Sequence, residues 1–412
     1  MVLEDLVSRS WELHRCRRPP LGVEADSFCN WLQEQGYSRS VMRSLIAKVS
    51  QFNGYLDELG IEDCAEVQEL HADRFIGLLS SKHDPIHLRH SSAAIRCFLK
   101  YLSIRGIMGS TAHPPPYEDV LNAYTADLKH HRGLVDSTIK IYRYYLIPFL
   151  QLLDGKDILK SLSEVSPQQV HAFFEKQGQS KADTTRGQIQ STLRAFFFFC
   201  ARQGYVAGHL AEAVPKVFRY RLANVPRYIC EQNAQTLMEC IDRSTSAGRR
   251  DYAIVLLLHT YGVRGAQIRS LRLEDIQWRQ SRIRFRSCKG GKEIIDPLTK
   301  AVGESLLDYL RYSRPKTVYR EVFLTDHAPI HPMKADNLYI MIATRLRCLG
   351  ITGPALGPHG LRHGFATRLL NSGQSLKTIA DLLGHRHVDS TFIYTKIDFE
   401  TLQQLPLDWP EV

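Results

Sequence analysis

Two stretches of this chain read alike, and a duplicated unit limits the fold more than any single motif does. G-Y-S-R-S-V-M-R from Gly36 parallels G-L-V-D-S-T-I-K from Gly133. Phe52 and Leu56 then match Phe149 and Leu153, while Leu70, Phe75 and Leu79 match Val165, Val170 and Phe174 at a slightly different offset. I-R-C-F-L-K-Y-L-S-I-R-G from Ile95 matches L-R-A-F-F-F-F-C-A-R-Q-G from Leu193. Any two amphipathic bundles share a pattern, but matching order, an Arg in the same place and a terminal Gly point to duplication. Apolar residues recur at three and four, as at Val41, Leu45, Val49, Phe52 and Leu56, so both copies are helical.

His113-Pro114-Pro115-Pro116 interrupts the pattern between the copies and marks a linker. The expected division is a helical module over 1–112, a second over 113–214, a basic linker over 215–228 and a larger domain over 229–412. The first residues, with Arg15, Arg17, Arg18, Pro19 and Pro20, are expected to form a loosely ordered basic arm. A formal charge of +10 suits a polyanionic partner. The nine cysteines are scattered singly, without zinc spacing or a disulfide framework, and no apolar leader or membrane span is evident. A soluble intracellular protein, without metal or cofactor, is expected.

Basic residues mixed with aromatics make the second module a candidate for DNA backbone and groove contacts: Lys140 and Arg143 among tyrosines, then Lys181, Arg186 and Arg194. Each could equally sit on a solvated helix face, and Phe196 to Phe199 read as core rather than as a base-stacking platform. The linker adds Lys216, Arg219 and Arg221, an extended strap that could follow a phosphate backbone.

In the last domain, D-Y-A-I-V-L-L-L-H from Asp251 is apolar nearly all round and so central. After Tyr261-Gly262, a helix beginning at Arg264 puts that guanidinium on the face of Ile268 and Leu271. A buried guanidinium needs an anion, either an internal carboxylate or a ligand phosphate. Arg282 to Cys288 alternates as a strand with Ile283 and Phe285 inward; Lys289-Gly290-Gly291-Lys292 is a turn, and Glu293 to Leu298 returns. Helices are expected over 302–312 and 333–349. His359 and Arg362 then share a helix face with Ala366 and Leu369, expected to turn inward. Ser375 caps a second helix with Leu376, Ile379, Leu382 and Leu383 as its stripe; Gly384 stops it before His385, and Tyr394 follows nine residues on.

H-x-x-R, then L-G-H, then Tyr at that spacing resembles the tyrosine recombinase (phage integrase) family. Y-G-V-R-G-A-Q-I-R-S-L-R-L-E-D-I resembles its first arginine segment, with Gln267 where the usual residue is Glu. The resemblance covers about residues 117–398. It implies a mainly α chain: two tandem small helical core-binding-like (SAM-like) modules, then a mixed α+β catalytic domain with a small antiparallel sheet. It implies Tyr394 as nucleophile, Arg264 and Arg362 on the non-bridging phosphate oxygens, and His359 as proton acceptor. His385 would add a hydrogen bond to the phosphate, and Lys289 (Lys292 as fallback) would protonate the leaving 5′ oxygen. The product would be a 3′-phosphotyrosyl bond, made without metal or ATP. The implied partners are double-stranded DNA carrying a specific site, and a homotetramer on two such sites, alone or with related recombinases, in the bacterial cytoplasm at the nucleoid. Integrase, mobile-element transposase and dimer resolvase are the open roles. The rivals are a type IB topoisomerase-like relaxing enzyme and a catalytically inactive DNA-binding regulator on the same fold.

Overall fold

Helix punctuation by left-handed glycines organises the chain. In the computed structural model, Gly36 and Gly133 take φ of 82° and 62° just before the long helices Arg39–Glu58 and Asp136–Leu152, and Gly106 and Gly204 take 68° and 74° just after the last helices of the two repeats. Those four glycines are the ones that the repeat aligns. The structure describes residues 3–7, 10–80, 84–108, 115–153, 157–206, 208–218, 227–287, 293–353, 356–385 and 390–397. It divides into two compact units, Met1–Gly109 with Asn224–Val412, and Ser110–Ala223.

The first repeat holds α1 (Ser10–Cys16), α2 (Ala25–Glu34), α3 (Arg39–Glu58), α4 (Glu69–Ser80) and α5 (Pro85–Ile104). Phe28 meets Phe98 edge to face at 4.8 Å, joining α2 to α5 at the centre of this core. The expected loose arm is instead folded: Leu3, Leu6, Cys16 and Leu21 are buried in the same core. Its charges have partners too, Arg17 pairing with Glu4 and Asp26. The expectation of a loose arm rested on its arginines and prolines, whereas Leu3, Leu6, Leu13 and Leu21 interleaved with them supply the apolar contacts.

The second unit repeats the plan with α6 (Glu118–His130), α7 (Asp136–Leu152), α8 (Ile158–Ser163), α9 (Pro167–Gly178) and α10 (Asp183–Arg202). Ser166 and Gln169 exchange bonds at the start of α9, the side-chain oxygen of Gln169 taking the Ser166 amide at 2.8 Å. Phe196, Phe197 and Phe199 are buried, as expected, while Phe198 is half exposed.

The last part of the first unit runs α11 (Glu231–Glu239), α12 (Ser246–Tyr261), α13 (Gly265–Ser270), β1 (Ile276–Gln277), β2 (Arg282–Phe285), β3 (Ile294–Pro297), α14 (Lys300–Tyr312), α15 (Ala335–Cys348), α16 (Pro358–Asn371) and α17 (Leu376–Leu382), then a 3-10 turn over Phe392–Ile397. α12 lies at the centre, with Ala253, Ile254, Val255, Leu257 and Leu258 wholly buried. The strands form an antiparallel sheet in the order β1-β2-β3, with Ile283 opposite Asp296 and Phe285 opposite Ile294. Ile283 and Phe285 point inward as their alternation required. The expected turn Lys289-Gly290-Gly291-Lys292 lies outside the described residues. No described helix is long and apolar enough to cross a membrane.

Candidate active site

Four segments far apart in sequence meet around Tyr394. The first is the break after α12. Gly262 sits at φ 59°, and a Cβ there would lie 2.3 Å from the Phe365 ring, so both backbone and packing require glycine. Arg264 follows as the residue capping α13 rather than the first residue within it, in extended conformation. Its amide donates to the Gln267 side-chain oxygen at 2.9 Å. The other end of that amide group donates to the Arg286 carbonyl at 3.3 Å. Gln267 is 1% exposed and spends both its polar ends, tying Arg264 to the residue that follows β2.

The second segment is α16. Arg362 is 3% exposed, and its two terminal nitrogens donate to the carbonyls of Gly262 and Leu383, each at 2.8 Å. The third is the end of α17. Ser375 caps that helix, accepting from the Thr378 amide at 3.1 Å, and Gly384 takes φ 61°. Its buried stripe is Ile379, Ala380 and Leu383, whereas Leu382 is 39% exposed. Arg264 donates to the Gly384 carbonyl at 3.3 and 3.4 Å, next to the Leu383 carbonyl that Arg362 holds. Both guanidiniums therefore rest on the negative end of one short helix. Among the described residues their hydrogen-bond partners are carbonyl oxygens, with no carboxylate. Burial and the charge of Arg264 pull the Arg362 pKa down to about 10, which still leaves it cationic at neutral pH. Two cations held together on carbonyl dipoles alone make a strong receptor for an anion.

The fourth segment is the turn that carries Tyr394. Its ring is 1% exposed and packs with Phe365, Ala366, Ile379 and Leu383. Burial raises its pKa, opposed by Arg362 and Arg264. Its hydroxyl lies 2.9 Å from Nδ1 of His363, the rings edge to face at 5.5 Å. His385, after α17, has Nδ1 2.8 Å from the hydroxyl of the fully buried Thr391. Burial first, then neighbouring cations, pull both His363 and His385 down to about 4, so both are neutral at pH 7.

Arg264, Arg362, His385 and Tyr394 thus come together. Among the described residues, the imidazole within hydrogen-bond distance of the Tyr394 hydroxyl is that of His363, not the expected His359. His359 is exposed in the first turn of α16, its ring 6.4 Å from that of His363. Lys289 and Lys292 lie outside the described residues. Motif and spacing passed over His363 and Thr391, although adjacency to Arg362 singles out the first.

The candidate DNA contacts divide. Lys140 and Lys181 are exposed, and Lys140 borders a hollow of about 370 Å³ with Ile141, Tyr144, Tyr145 and Gln188. Arg143 is bound inside its unit to Glu118 at 3.2 Å, with Asn122 and Thr125 also in reach. Arg186 lies over the Phe174 ring at 5.9 Å and near Asp183 and Glu175. Arg194 is half-buried and Lys216 exposed, while Arg219 and Arg221 lie outside the described residues.

Comparison with known proteins bears on this geometry. Residues 227–401 match the phage integrase family, and 121–204 match the phage integrase N-terminal SAM-like domain. An integrase/recombinase of Sinorhizobium fredii, y4rA, is 33% identical over 99% of both chains. The chain belongs to the phage integrase family of tyrosine recombinases. It is a site-specific recombinase, mainly α with a small antiparallel sheet. The tyrosine recombinase XerD of Vibrio vulnificus is 30% identical, over 66% of this chain and 89% of its own. A crystal structure of the XerH site-specific recombinase bound to a palindromic difH substrate aligns with a TM-score of 0.53 at 19% identity, over 66% of this chain and 80% of that one. These two family matches span 121–204 and 227–401, and the Sinorhizobium relative spans the first repeat as well.

Proposed function

We propose that this tyrosine recombinase cuts and rejoins double-stranded DNA at a specific site through Tyr394. The observation that carries the reading is the Tyr394 hydroxyl buried beside Arg362 and Arg264, whose partners among the described residues are carbonyls. A phosphodiester placed there supplies both arginines with an anion. Tyr394 attacks phosphorus in line, the arginines hold the non-bridging oxygens, and His385 donates a further hydrogen bond. Each such preorganised donor is worth about 2.7–4 kcal/mol of barrier. Lys289, which follows β2 in sequence, protonates the departing 5′ oxygen, with Lys292 as the fallback. The 3′-phosphotyrosyl bond keeps the phosphodiester energy, so a 5′-hydroxyl reverses the step.

Exposed Lys140, Lys181 and Lys216 make the backbone contacts of the second unit, with Arg194 at its edge, whereas Arg143 and Arg186 act mainly inside the fold. Arg219 and Arg221 extend the contact along the linker. The working form is a homotetramer on two sites in the bacterial cytoplasm, serving integration or transposition of a mobile element. The 33% identity to an integrase/recombinase over the whole chain supports that role over chromosome-dimer resolution. The test starts from duplexes selected out of a random-sequence pool by the full-length protein. On a nicked suicide version of the selected site, Tyr394→Phe binds with unchanged affinity and gives no covalent complex. Covalent product from that variant refutes the assignment.

A further inference from the structure

The residue that touches the reacting oxygen of Tyr394 is His363, which neither the motif nor the expected roles include. Its Nδ1 lies 2.9 Å from the phenolic oxygen. The contact is built into the fold from both sides. His363 is on α16, one residue after Arg362, and its own carbonyl accepts the Thr367 hydroxyl at 2.9 Å within that helix. The next residue, Gly364, has no room for a side chain, since a Cβ there would lie 2.4 Å from the Ile229 carbonyl. That close approach of the chain before α11 fixes α16, and the imidazole with it, against the Tyr394 turn. On the other side, Phe365, Ala366, Ile379 and Leu383 enclose the phenol ring.

Among the described residues, the charged and titratable groups around this imidazole are His359 and Arg362 on its own helix, His385 after α17, and Tyr394 itself. None of them is a carboxylate. The cations and burial hold His363 neutral at working pH, so it has a lone pair to offer. With its proton on Nε2, Nδ1 accepts from the phenol. Tyr394 meanwhile keeps its proton, because burial raises its pKa. Attack by a neutral phenol needs a proton acceptor in the transition state, when the oxygen becomes acidic as it bonds to phosphorus.

We propose that His363 is the general base for Tyr394, taking the phenolic proton on Nδ1 as the oxygen–phosphorus bond forms. The electron pair of the breaking P–O5′ bond goes to the 5′ oxygen, which receives its proton from Lys289. In rejoining, the imidazolium returns its proton to the leaving phenolate. The arriving phosphodiester anion stabilises the imidazolium that burial otherwise disfavours, so proton transfer is coupled to substrate binding. This role rests on Tyr394 being the nucleophile, and it replaces His359 as the acceptor.

The test uses full-length protein and the nicked suicide duplex, with single-turnover cleavage, DNA affinity and thermal melting measured for each variant. His363→Ala and His363→Asn should bind DNA as wild type does and cleave about 10²–10⁴-fold more slowly. Their rates should climb with pH between about 7 and 9.5 as phenolate forms unaided, because an ordinary tyrosine titrates at about 10 and burial holds Tyr394 above that. A 5′-bridging sulfur, which needs no proton to leave, should not restore them, although it restores Lys289→Ala. Asparagine keeps a polar group near Nδ1 without basicity, so it carries the comparison if alanine does not fold. Wild-type cleavage by His363→Asn reduces the residue to positioning and overturns the proposal. Rescue by sulfur moves it to the leaving-group side and overturns it equally, as does a pH profile matching wild type. Covalent product from Tyr394→Phe would instead refute the underlying nucleophile assignment.

Discussion

Gln267 holds Arg264 by its backbone. The side-chain oxygen takes the Arg264 amide at 2.9 Å while the nitrogen gives to the Arg286 carbonyl at 3.3 Å. A glutamate here, usual in the resembling segment, could accept from Arg264 but could not donate to Arg286 when ionised. Gln267→Ala leaves a buried N–H and a carbonyl unpaired and should lower stability by about 1–3 kcal/mol. Gln267→Glu should lose about 1 kcal/mol, keeping the Arg264 half. Urea midpoints of the two variants rank them, and equal losses would mean that the Arg286 bond carries the whole effect and the Arg264 bond none.

Buried neutral histidines make the site acid-sensitive. Unfolded histidines protonate near pH 6.5, whereas folded His363 and His385 resist until about 4. Between those values the unfolded chain binds more protons, so stability rises with pH. Their contribution is complete above about pH 6.5 and is lost progressively towards pH 4. The difference in urea midpoint between pH 7 and pH 5 should shrink when both are replaced by asparagine. An unchanged difference would assign the acid sensitivity to carboxylates.

The first repeat offers one basic stripe. Arg39 and Arg43 donate to the Asp5 and Leu6 carbonyls, and Lys48 meets His87. Arg89, Arg96 and Lys100 are exposed on α5, and their spacing puts them on one face, Arg96 forming a 3.7 Å pair with Asp73. If that face follows DNA, replacing all three with alanine should flatten the slope of log affinity against log salt by about 0.9 for each phosphate no longer neutralised. An unchanged slope, with fewer higher-order complexes, would give the module to subunit assembly.

The C-terminal residues carry Leu402, Leu405, Leu407 and Trp409 on a segment too short for its own core. They lie outside the described residues. Exchange of this segment between neighbouring subunits would build the proposed tetramer. Truncation after Asp398 should leave single-site affinity unchanged and abolish pairing of two sites in gel-shift assays. Normal recombination by the truncated chain would refute the exchange.

Ser375, Gly384, Gly262 and the Ile283–Phe285 alternation were legible because caps, left-handed stops and strand pleats act over a few residues. Arg264, Arg362, His385 and Tyr394 were legible through spacing, and the structure gathers them. Periodicity, however, fixes the face of a helix and not the depth along it. His359 and His363 share a face of α16, yet four residues of rise, about 6 Å, separate the exposed first turn from the level at which the Tyr394 turn packs. Whether Arg143 and Arg186 face solvent, and whether the first residues form an arm, depended on partners supplied by other helices. Arg264 rests on a carbonyl 120 residues away. Local sequence determined which side chains could do this chemistry, and long-range packing decided which imidazole stands against the tyrosine.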